Sequence, residues 1–197
     1  MTTIWRSSLL LLAAALVACS PDAAKFRGTD VTGADFGKTL ALTGHDGKPR
    51  VLEDFRGKLV VLFFGYTHCP DICPTTLADT AAALKTHGPD AARVQVLFVT
   101  LDPERDTPEL LAKYVPYFNP DFLGLSGDAA ATERAAKEFK IFYEKRPGAS
   151  PGAYTVDHSA QSYVLDGQGR LRLFVKQDRI AQDLAGDLRM LLKEKSQ

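Results

Sequence analysis

Two runs of apolar residues predict buried β-strands near the middle of the chain. Residues 59–64 read Leu-Val-Val-Leu-Phe-Phe without interruption, and residues 94–100 are also dominated by Val, Leu and Phe. Continuous runs that are rich in branched and aromatic side chains are typical of strands covered on both faces of a sheet. We therefore expect both segments to be central strands of one sheet.

Helices and hairpins are predicted around these strands. Pro108, just after Asp106 and Thr107, marks the start of one helix. The turn residues Asp46-Gly47 and residues 166–169 indicate hairpins. Helices are expected at residues 74–86, 107–117, 128–139 and 179–192, and hairpins at residues 41–52 and 161–175. This order of elements predicts a mixed α/β domain with a thioredoxin-like fold, in which helices flank a central mixed sheet and a hairpin is added.

The first 18 residues have a different pattern, which is typical of an export signal. Arg6 precedes an unbroken apolar run at positions 9–17. A run of this length is far shorter than the roughly 20 residues that a membrane-spanning helix needs. Leu16-Val17-Ala18-Cys19 resembles a bacterial lipobox, so we expect residues 1–18 to be a lipoprotein signal peptide and Cys19 to be lipidated. The alternative is an ordinary signal peptide with Cys19 as an incidental thiol.

The residues after this segment predict a tether and then one domain. Residues 19–38 are largely polar, contain glycines at positions 28, 33 and 37, and show no sustained apolar period. Such a composition predicts a flexible, lipid-anchored tether. Residues 39–197 would then form the folded domain, which is long enough for one hydrophobic core.

Charge and cysteine content narrow the classes of function. The chain has 24 basic and 24 acidic residues, so it lacks the cationic field expected of a nucleic-acid partner. With Cys19 assigned to lipid, the three cysteines leave Cys69 and Cys73 in an exported and oxidising compartment. The function of these two thiols must therefore be explained jointly.

Cys69 and Cys73 are four positions apart at the entrance of the helix predicted at residues 74–86. At this spacing their sulfur atoms can meet each other or share one ion. A helix N-terminus lowers the pKa of a nearby thiol, and the thiolate is the form that binds metal. The spacing alone leaves three alternatives open: a metal site, for which two soft thiolates favour Cu(I), a redox-active pair, or a structural disulfide bond.

Three motifs of the chain resemble those of the Sco/SenC family of copper proteins. They are Tyr-Thr-His-Cys-Pro-Asp-Ile-Cys-Pro at residues 66–74, Asp-Pro-Glu-Arg-Asp-Thr at residues 102–107 and Val-Asp-His-Ser at residues 156–159. The resemblance covers most of the chain after about residue 36 and implies that Cys69 and Cys73 bind Cu(I). It also implies that His158 completes the site when copper is oxidised, and a neutral imidazole nitrogen is a harder ligand that suits Cu(II).

The resemblance further implies a copper chaperone that delivers copper to the binuclear copper centre of cytochrome c oxidase. Its expected partners are the copper-bearing subunit of the oxidase and an upstream periplasmic copper donor, and its expected location is the periplasmic face of a membrane. The alternative is a thiol:disulfide oxidoreductase that uses Cys69 and Cys73 to keep the copper-ligand cysteines of the oxidase reduced. A peroxidase is disfavoured because Cys69 lacks the Thr-x-x-Cys arrangement of that family.

Other polar residues have less definite roles. His68 adjoins Cys69, but a neighbour at i+1 points away from it, so local packing or electrostatic tuning is expected. His45 and His87 fall in predicted turns, where exposure to solvent is expected. Asp71 is either a weak oxygen ligand for Cu(II) or, preferably, a favourable charge at a helix start.

Asp102, Arg105 and Asp106 follow the second predicted central strand. They are expected near the carboxyl edge of the sheet, where the cysteine loop should also emerge. Ion pairs that brace this loop, contact with a partner and a simple capped turn are all compatible with the sequence.

Overall fold

An eight-stranded mixed sheet forms the centre of the computed structural model, which describes residues 25–194. The strands of the protein are β1 (Thr29–Asp30), β2 (Ala41–Gly44), β3 (Pro49–Val51), β4 (Leu59–Gly65), β5 (Val94–Thr100), β6 (Leu123–Ser126), β7 (Tyr143–Pro147), β8 (Tyr154–His158), β9 (Ser162–Leu165) and β10 (Leu171–Val175). The large sheet has the order β1-β10-β9-β4-β5-β6-β2-β3, and β7 pairs only with β8 in a separate sheet. The β4, β5 and β6 strands are parallel, and the other pairings are antiparallel.

The two predicted central strands are confirmed as β4 and β5. Every residue of β4 is buried, because β5 and β9 flank it and side chains cover both of its faces. Successive side chains of a strand point to opposite faces. Accordingly, the Phe63 ring packs on Phe98, while the next ring, Phe64, packs on Phe139 at the end of a helix. The carboxyl ends of β4 and β5 therefore lie side by side above a rigid core.

Four α-helices flank the sheet close to their predicted positions. They are α1 (Ile72–Lys85), α2 (Pro108–Phe118), α3 (Ala129–Glu138) and α4 (Ile180–Lys193). The side chains of Thr107 and Asp128 accept hydrogen bonds from the backbone N–H groups of Leu110 and Ala131, which caps α2 and α3. The α1 helix packs against α2 and α4, so its first turn is held firmly at the carboxyl end of β4.

The two predicted hairpins are present, but four strands were not predicted. The β2–β3 hairpin turns at Asp46-Gly47, where Gly47 has a φ of 79°, and β9 pairs with β10 as expected. The missed elements are β1, β6 and the β7–β8 hairpin. The β7 strand is mostly exposed, and only Val156 of β8 is fully buried, so neither strand has the apolar signal that sequence patterns detect.

Residues before the predicted domain boundary at residue 39 also contact the folded domain. The backbone N–H groups of Arg27 and Gly28 donate hydrogen bonds to the buried carboxylate of Asp187, at 2.9 and 2.8 Å. The next residues form β1, which pairs with β10. These contacts attach the second half of the predicted tether to the domain. The sequence pattern does not reveal them, because backbone hydrogen bonds need no apolar side chains.

The predicted signal peptide, residues 1–18, and the predicted lipidation site, Cys19, lie outside the described residues. Among the helices at residues 25–194, none combines the length and the apolar character that a membrane crossing requires.

Candidate metal centre

The two cysteines lie where β4 passes into α1. A loop of six residues follows Gly65, with Cys69 in the loop and Cys73 in the first turn of α1. The backbone N–H of Cys69 donates to the carbonyl oxygen of Tyr66 at 3.3 Å, and the backbone N–H of Cys73 donates to Cys69 Sγ at 3.4 Å. The loop therefore turns back on itself and brings the first sulfur over the helix start.

His158 completes the cluster from the opposite side. Its Nε2 atom lies 3.5 Å from Cys73 Sγ, and the ligand atoms of Cys69, Cys73 and His158 all lie within 4.8 Å of one another. Both thiols are free. In the described part of the chain, no other set of three His, Cys, Asp or Glu side chains converges in this way. The fold thus brings together the three residues that the sequence indicated as metal ligands.

The orientation of the His158 ring suits metal binding through Nε2. The Nδ1 atom lies 2.9 Å from the carbonyl oxygen of Ser159, so a proton on Nδ1 is donated to that oxygen. The rings of Tyr66 and Phe63 contact the imidazole edge to face, with centroids at 5.9 and 6.4 Å. A hydrogen bond to the other ring nitrogen fixes the tautomer of a metal-binding histidine. Nε2 therefore faces the cysteines and is the ring nitrogen placed to bind a metal ion.

The two thiols differ strongly in acidity. A hydrogen bond from the Cys73 thiol lowers the pKa of Cys69 to about 4, against the opposing effect of burial, and His158 and the backbone N–H groups of Asp71 and Cys73 lower it further. The same hydrogen bond, together with burial, raises the pKa of Cys73. Cys69 is half-buried and Cys73 is fully buried. At neutral pH the pair therefore holds one thiolate, on Cys69, and the thiolate is the form that attacks a disulfide or binds a soft metal ion.

Asp106 supports the cysteine loop from below. Its buried carboxylate accepts hydrogen bonds from the backbone N–H of Thr67 at 2.9 Å and from the hydroxyls of Thr67 and Thr100, both at 2.6 Å. His68 is half exposed, with Nδ1 at 3.1 Å from Thr67 Oγ1 and 3.6 Å from an Asp106 oxygen. This position agrees with the expected electrostatic role of His68 and keeps it out of the ligand cluster.

Asp102 and Arg105 form a second brace after β5. Asp102 is fully buried and pairs with the Arg105 guanidinium, which also contacts Tyr154 on β8. Of the three alternatives for Asp102, Arg105 and Asp106, the geometry favours bracing. Tyr154 could not be singled out from sequence patterns, because its contact with Arg105 joins residues 49 positions apart.

The remaining candidate residues lie outside the cluster. Asp71 is exposed at the start of α1 and accepts a hydrogen bond from the Thr75 hydroxyl at 3.3 Å, which agrees with the preferred helix-start interpretation. His45 and His87 are partly buried, so the expected exposure to solvent was wrong. His45 Nδ1 accepts a hydrogen bond from the backbone N–H of Gly124, which ties the β2–β3 turn to β6.

Comparison with known proteins identifies relatives over most of the chain. The SCO1/SenC family model matches residues 28–193. The mitochondrial protein SCO2 homolog of Mus musculus is 36% identical over 152 residues, which cover 76% of this chain and 60% of that relative. The chain therefore spans about three fifths of the length of this curated relative.

Solved structures are similar as well. ScoI of Bradyrhizobium japonicum with copper bound has a TM-score of 0.73 and 37% sequence identity, and the match covers 79% of this chain and 99% of that chain. Apo Sco1 of Thermus thermophilus has a TM-score of 0.74 and 41% identity, covering 84% and 95%. These similarities confirm the predicted thioredoxin-like fold. With a family model that matches almost the whole described region, the chain belongs to the SCO1/SenC family.

Proposed function

We propose that this protein is a copper chaperone, which binds one copper ion through Cys69, Cys73 and His158. The observation that carries this proposal is the convergence of two free thiols and one imidazole nitrogen within 4.8 Å. Two soft thiolates suit Cu(I), which accepts low coordination numbers, and the added imidazole suits Cu(II). One site can therefore hold copper in both oxidation states.

Delivery requires that copper can leave the site by exchange of ligands. Cys73 is fully buried, whereas Cys69 is half-buried and lies on a loop. An incoming thiolate or imidazole would thus displace Cys69 first and Cys73 last. We propose the binuclear copper centre of cytochrome c oxidase as the acceptor, on its copper-bearing subunit. Membership of the SCO1/SenC family and a relative described with copper bound support this assignment.

Copper stoichiometry on the reduced protein tests the site. We expect one copper per chain in the wild type and none in Cys69→Ala or Cys73→Ala, because each variant removes a thiolate. We expect His158→Ala to keep Cu(I) and to bind Cu(II) at least ~10-fold more weakly. His68→Ala is the matched control, since His68 adjoins Cys69 but lies outside the cluster. Full Cu(II) affinity in His158→Ala would exclude this histidine as a ligand.

A second candidate function is reduction of the copper-ligand cysteines of the oxidase. The observation that favours it is the unequal pair of thiols: a partly buried Cys69, which holds the thiolate, and a fully buried Cys73 thiol that can resolve a mixed disulfide. In a deletion strain, copper delivery predicts that added copper alone restores oxidase assembly. Thiol reduction predicts that a general thiol reductant restores it without copper.

We further propose that the protein is exported, lipidated on Cys19 and held at the periplasmic face of a membrane. The lipobox-like residues 16–19 and the apolar run before them support this proposal. Mass spectrometry of the mature protein should find an N-terminal diacylglyceryl cysteine. An unmodified N-terminus in the membrane fraction would contradict it.

A further inference from the structure

The residue that supplies the imidazole lies on a hairpin outside the main sheet. The β7 and β8 strands pair only with each other. Within β8, Tyr154, Val156 and His158 are at least partly buried, whereas Thr155 and Asp157 are exposed. Alternate residues of a strand share one face, so the first three side chains form the inner face of the hairpin. The position of His158 thus depends on how this face is attached to the domain.

Tyr154 attaches the far end of this face through three contacts. Its ring lies under the Arg105 guanidinium, with 3.6 Å between the guanidinium carbon and the ring centroid. Its carbonyl oxygen accepts a hydrogen bond from Arg105 Nη1 at 3.0 Å. Its hydroxyl donates to Asp102 Oδ1 at 2.7 Å. Backbone, ring and hydroxyl of one residue are therefore all held by the loop that follows β5.

The loop side of this contact is itself fixed. The Asp102 side chain is fully buried and pairs with Arg105 Nε. The backbone N–H of Asp102 donates a hydrogen bond to Thr100 Oγ1 at 3.0 Å. The same loop ends in Asp106, whose carboxylate holds Thr67 of the cysteine loop. One short loop thus contacts both the segment that carries the thiols and the hairpin that carries the imidazole.

A neighbouring ion pair contrasts with this cluster. Lys145 of β7 lies 2.6 Å from Glu104, but both side chains are largely exposed. Exposed ion pairs contribute little to stability because water solvates both partners. The hydrogen bond from the Tyr154 hydroxyl to Asp102 is stronger than this ion pair, because Asp102 is buried. A buried carboxylate forms strong, charge-assisted hydrogen bonds, which hold its partners in place.

We propose that Asp102, Arg105 and Tyr154 form a latch that positions His158 and thereby sets the preference of the site for Cu(II) over Cu(I). Tyr154 is four residues from His158, about 13 Å along the strand. Release of that end lets the hairpin pivot about its junction with β9 and withdraws Nε2 from Cys73. The thiols are affected less by this movement, because the hydrogen bonds from Thr67 of their loop to Asp106 do not involve Tyr154. The inference rests on the proposed copper site and names positioning residues for it.

The first test measures copper affinity in both oxidation states. Tyr154→Leu removes the ring and the hydroxyl, and we expect Cu(II) affinity to fall by ~10-fold or more, as is usual when a residue that orients a metal ligand is lost. Cu(I) affinity should stay within about twofold, because the two thiolates remain in place. Tyr117→Leu is the matched control, since Tyr117 is 85% exposed on α2.

Tyr154→Phe provides a milder variant, which keeps the stacked ring and removes only the hydroxyl bond to Asp102. The Cu(II) affinity of Tyr154→Phe should be intermediate between those of the wild type and Tyr154→Leu. If the leucine variant does not fold, the Phe variant alone tests the latch. Wild-type Cu(II) affinity and absorption spectrum in these variants would overturn the latch. Equal losses of Cu(I) and Cu(II) affinity in the folded Phe variant would also overturn it, because the effect would not act through His158.

A second measurement uses the protein without copper. Nuclear Overhauser contacts between the His158 and Tyr66 rings report the docked hairpin, since their centroids lie 5.9 Å apart and their edges are closer. We expect these contacts in the wild type and in Tyr117→Leu, and their loss or weakening in Tyr154→Leu. Unchanged contacts would overturn the latch. Failure of the wild type to bind copper would instead contradict the proposed function, and the ring contacts would still decide whether the latch exists.

Discussion

The two cysteines of the cluster have different chemical roles although they are four residues apart. Cys73 is fully buried and stays protonated, and its thiol donates a hydrogen bond that stabilises the thiolate of Cys69. Cys69 is only partly buried and is therefore the more exposed of the two residues. Entry and exit of a metal ion, or attack on a disulfide, should accordingly begin at Cys69.

This asymmetry predicts an unusual pH dependence of alkylation. With its pKa lowered to about 4, Cys69 is already a thiolate throughout the range from pH 6 to pH 8. Its rate of reaction with iodoacetamide should therefore be nearly constant there, whereas an ordinary thiol with a pKa of about 8.5 reacts ~10-fold faster for each added pH unit. Rates measured by mass spectrometry of the modified peptide provide the test.

The control is Cys73→Ala, which removes the hydrogen-bond donor that lowers the pKa of Cys69 most. In this variant the pKa should rise, so the alkylation rate should again increase between pH 6 and pH 8. A wild-type rate that climbs like that of an ordinary thiol would contradict the proposed charge state.

At the scale of elements, the junction of β4 and α1 leaves no free space for a side chain at Gly65. A Cβ atom there would lie 2.7 Å from Cys73 Sγ and 3.0 Å from a ring carbon of Phe98. Neither neighbour can withdraw easily, because both are buried. The glycine thus allows the strand to end directly beneath the metal ligands.

Gly65→Ala should consequently disturb both the fold and the site. We expect a loss of ~1–3 kcal/mol in the free energy of unfolding, which is typical of overpacking in a core. Because Cys73 Sγ must move, affinity for Cu(I) and Cu(II) should fall together, unlike the selective effect of Tyr154→Leu. Urea denaturation and copper titration measure the two quantities.

Gly167→Ala is a suitable control, since the nearest atom to an added Cβ there is 3.6 Å away. We expect it to change stability by less than about 0.5 kcal/mol. If Gly65→Ala were equally harmless, the close contact with Cys73 would not limit this position.

The elements differ in how far the sequence could predict them. The β4 and β5 strands were predictable because they are dominated by apolar side chains, without interruption at residues 59–64, and α2 because Thr107 and Pro108 mark its start. The β7–β8 hairpin was not, since its attachment comes from Arg105 and Tyr154 instead of an apolar pattern. The proposed ligands differ in the same way, because local patterns reveal only local contacts. Cys69 and Cys73 were indicated by their spacing, whereas His158 is 85 residues from Cys73 and was indicated only by the family resemblance.

At the scale of the whole molecule, α4 holds the chain just ahead of β1. Asp187 on this helix is fully buried, and its carboxylate accepts hydrogen bonds from the backbone N–H groups of Arg27 and Gly28. These two hydrogen bonds join residues that are about 160 positions apart in the chain. They attach part of the segment that was predicted to be a tether, residues 19–38, to the folded domain.

Asp187→Ala should release this segment. Two backbone N–H groups then lose their acceptor, which costs ~1–3 kcal/mol for groups that are shielded from water. Trypsin should cleave after Lys25 and Arg27 faster than in the wild type, as detected by mass spectrometry during limited digestion. Asp35→Ala, at a side chain that is 94% exposed, should leave the digestion pattern unchanged. Equal digestion of the wild type and Asp187→Ala would show that Asp187 does not hold the segment.

The short outer strands of the large sheet also bear on self-association. One edge is β1, with two residues, and the other is β3, with three, including Pro49, which has no N–H to donate. Long, flat edge strands are templates for pairing with other chains, and short edges or proline remove that template. The large sheet therefore offers no long edge strand to another copy of the chain, which limits aggregation through this sheet while the thiols stay available for exchange.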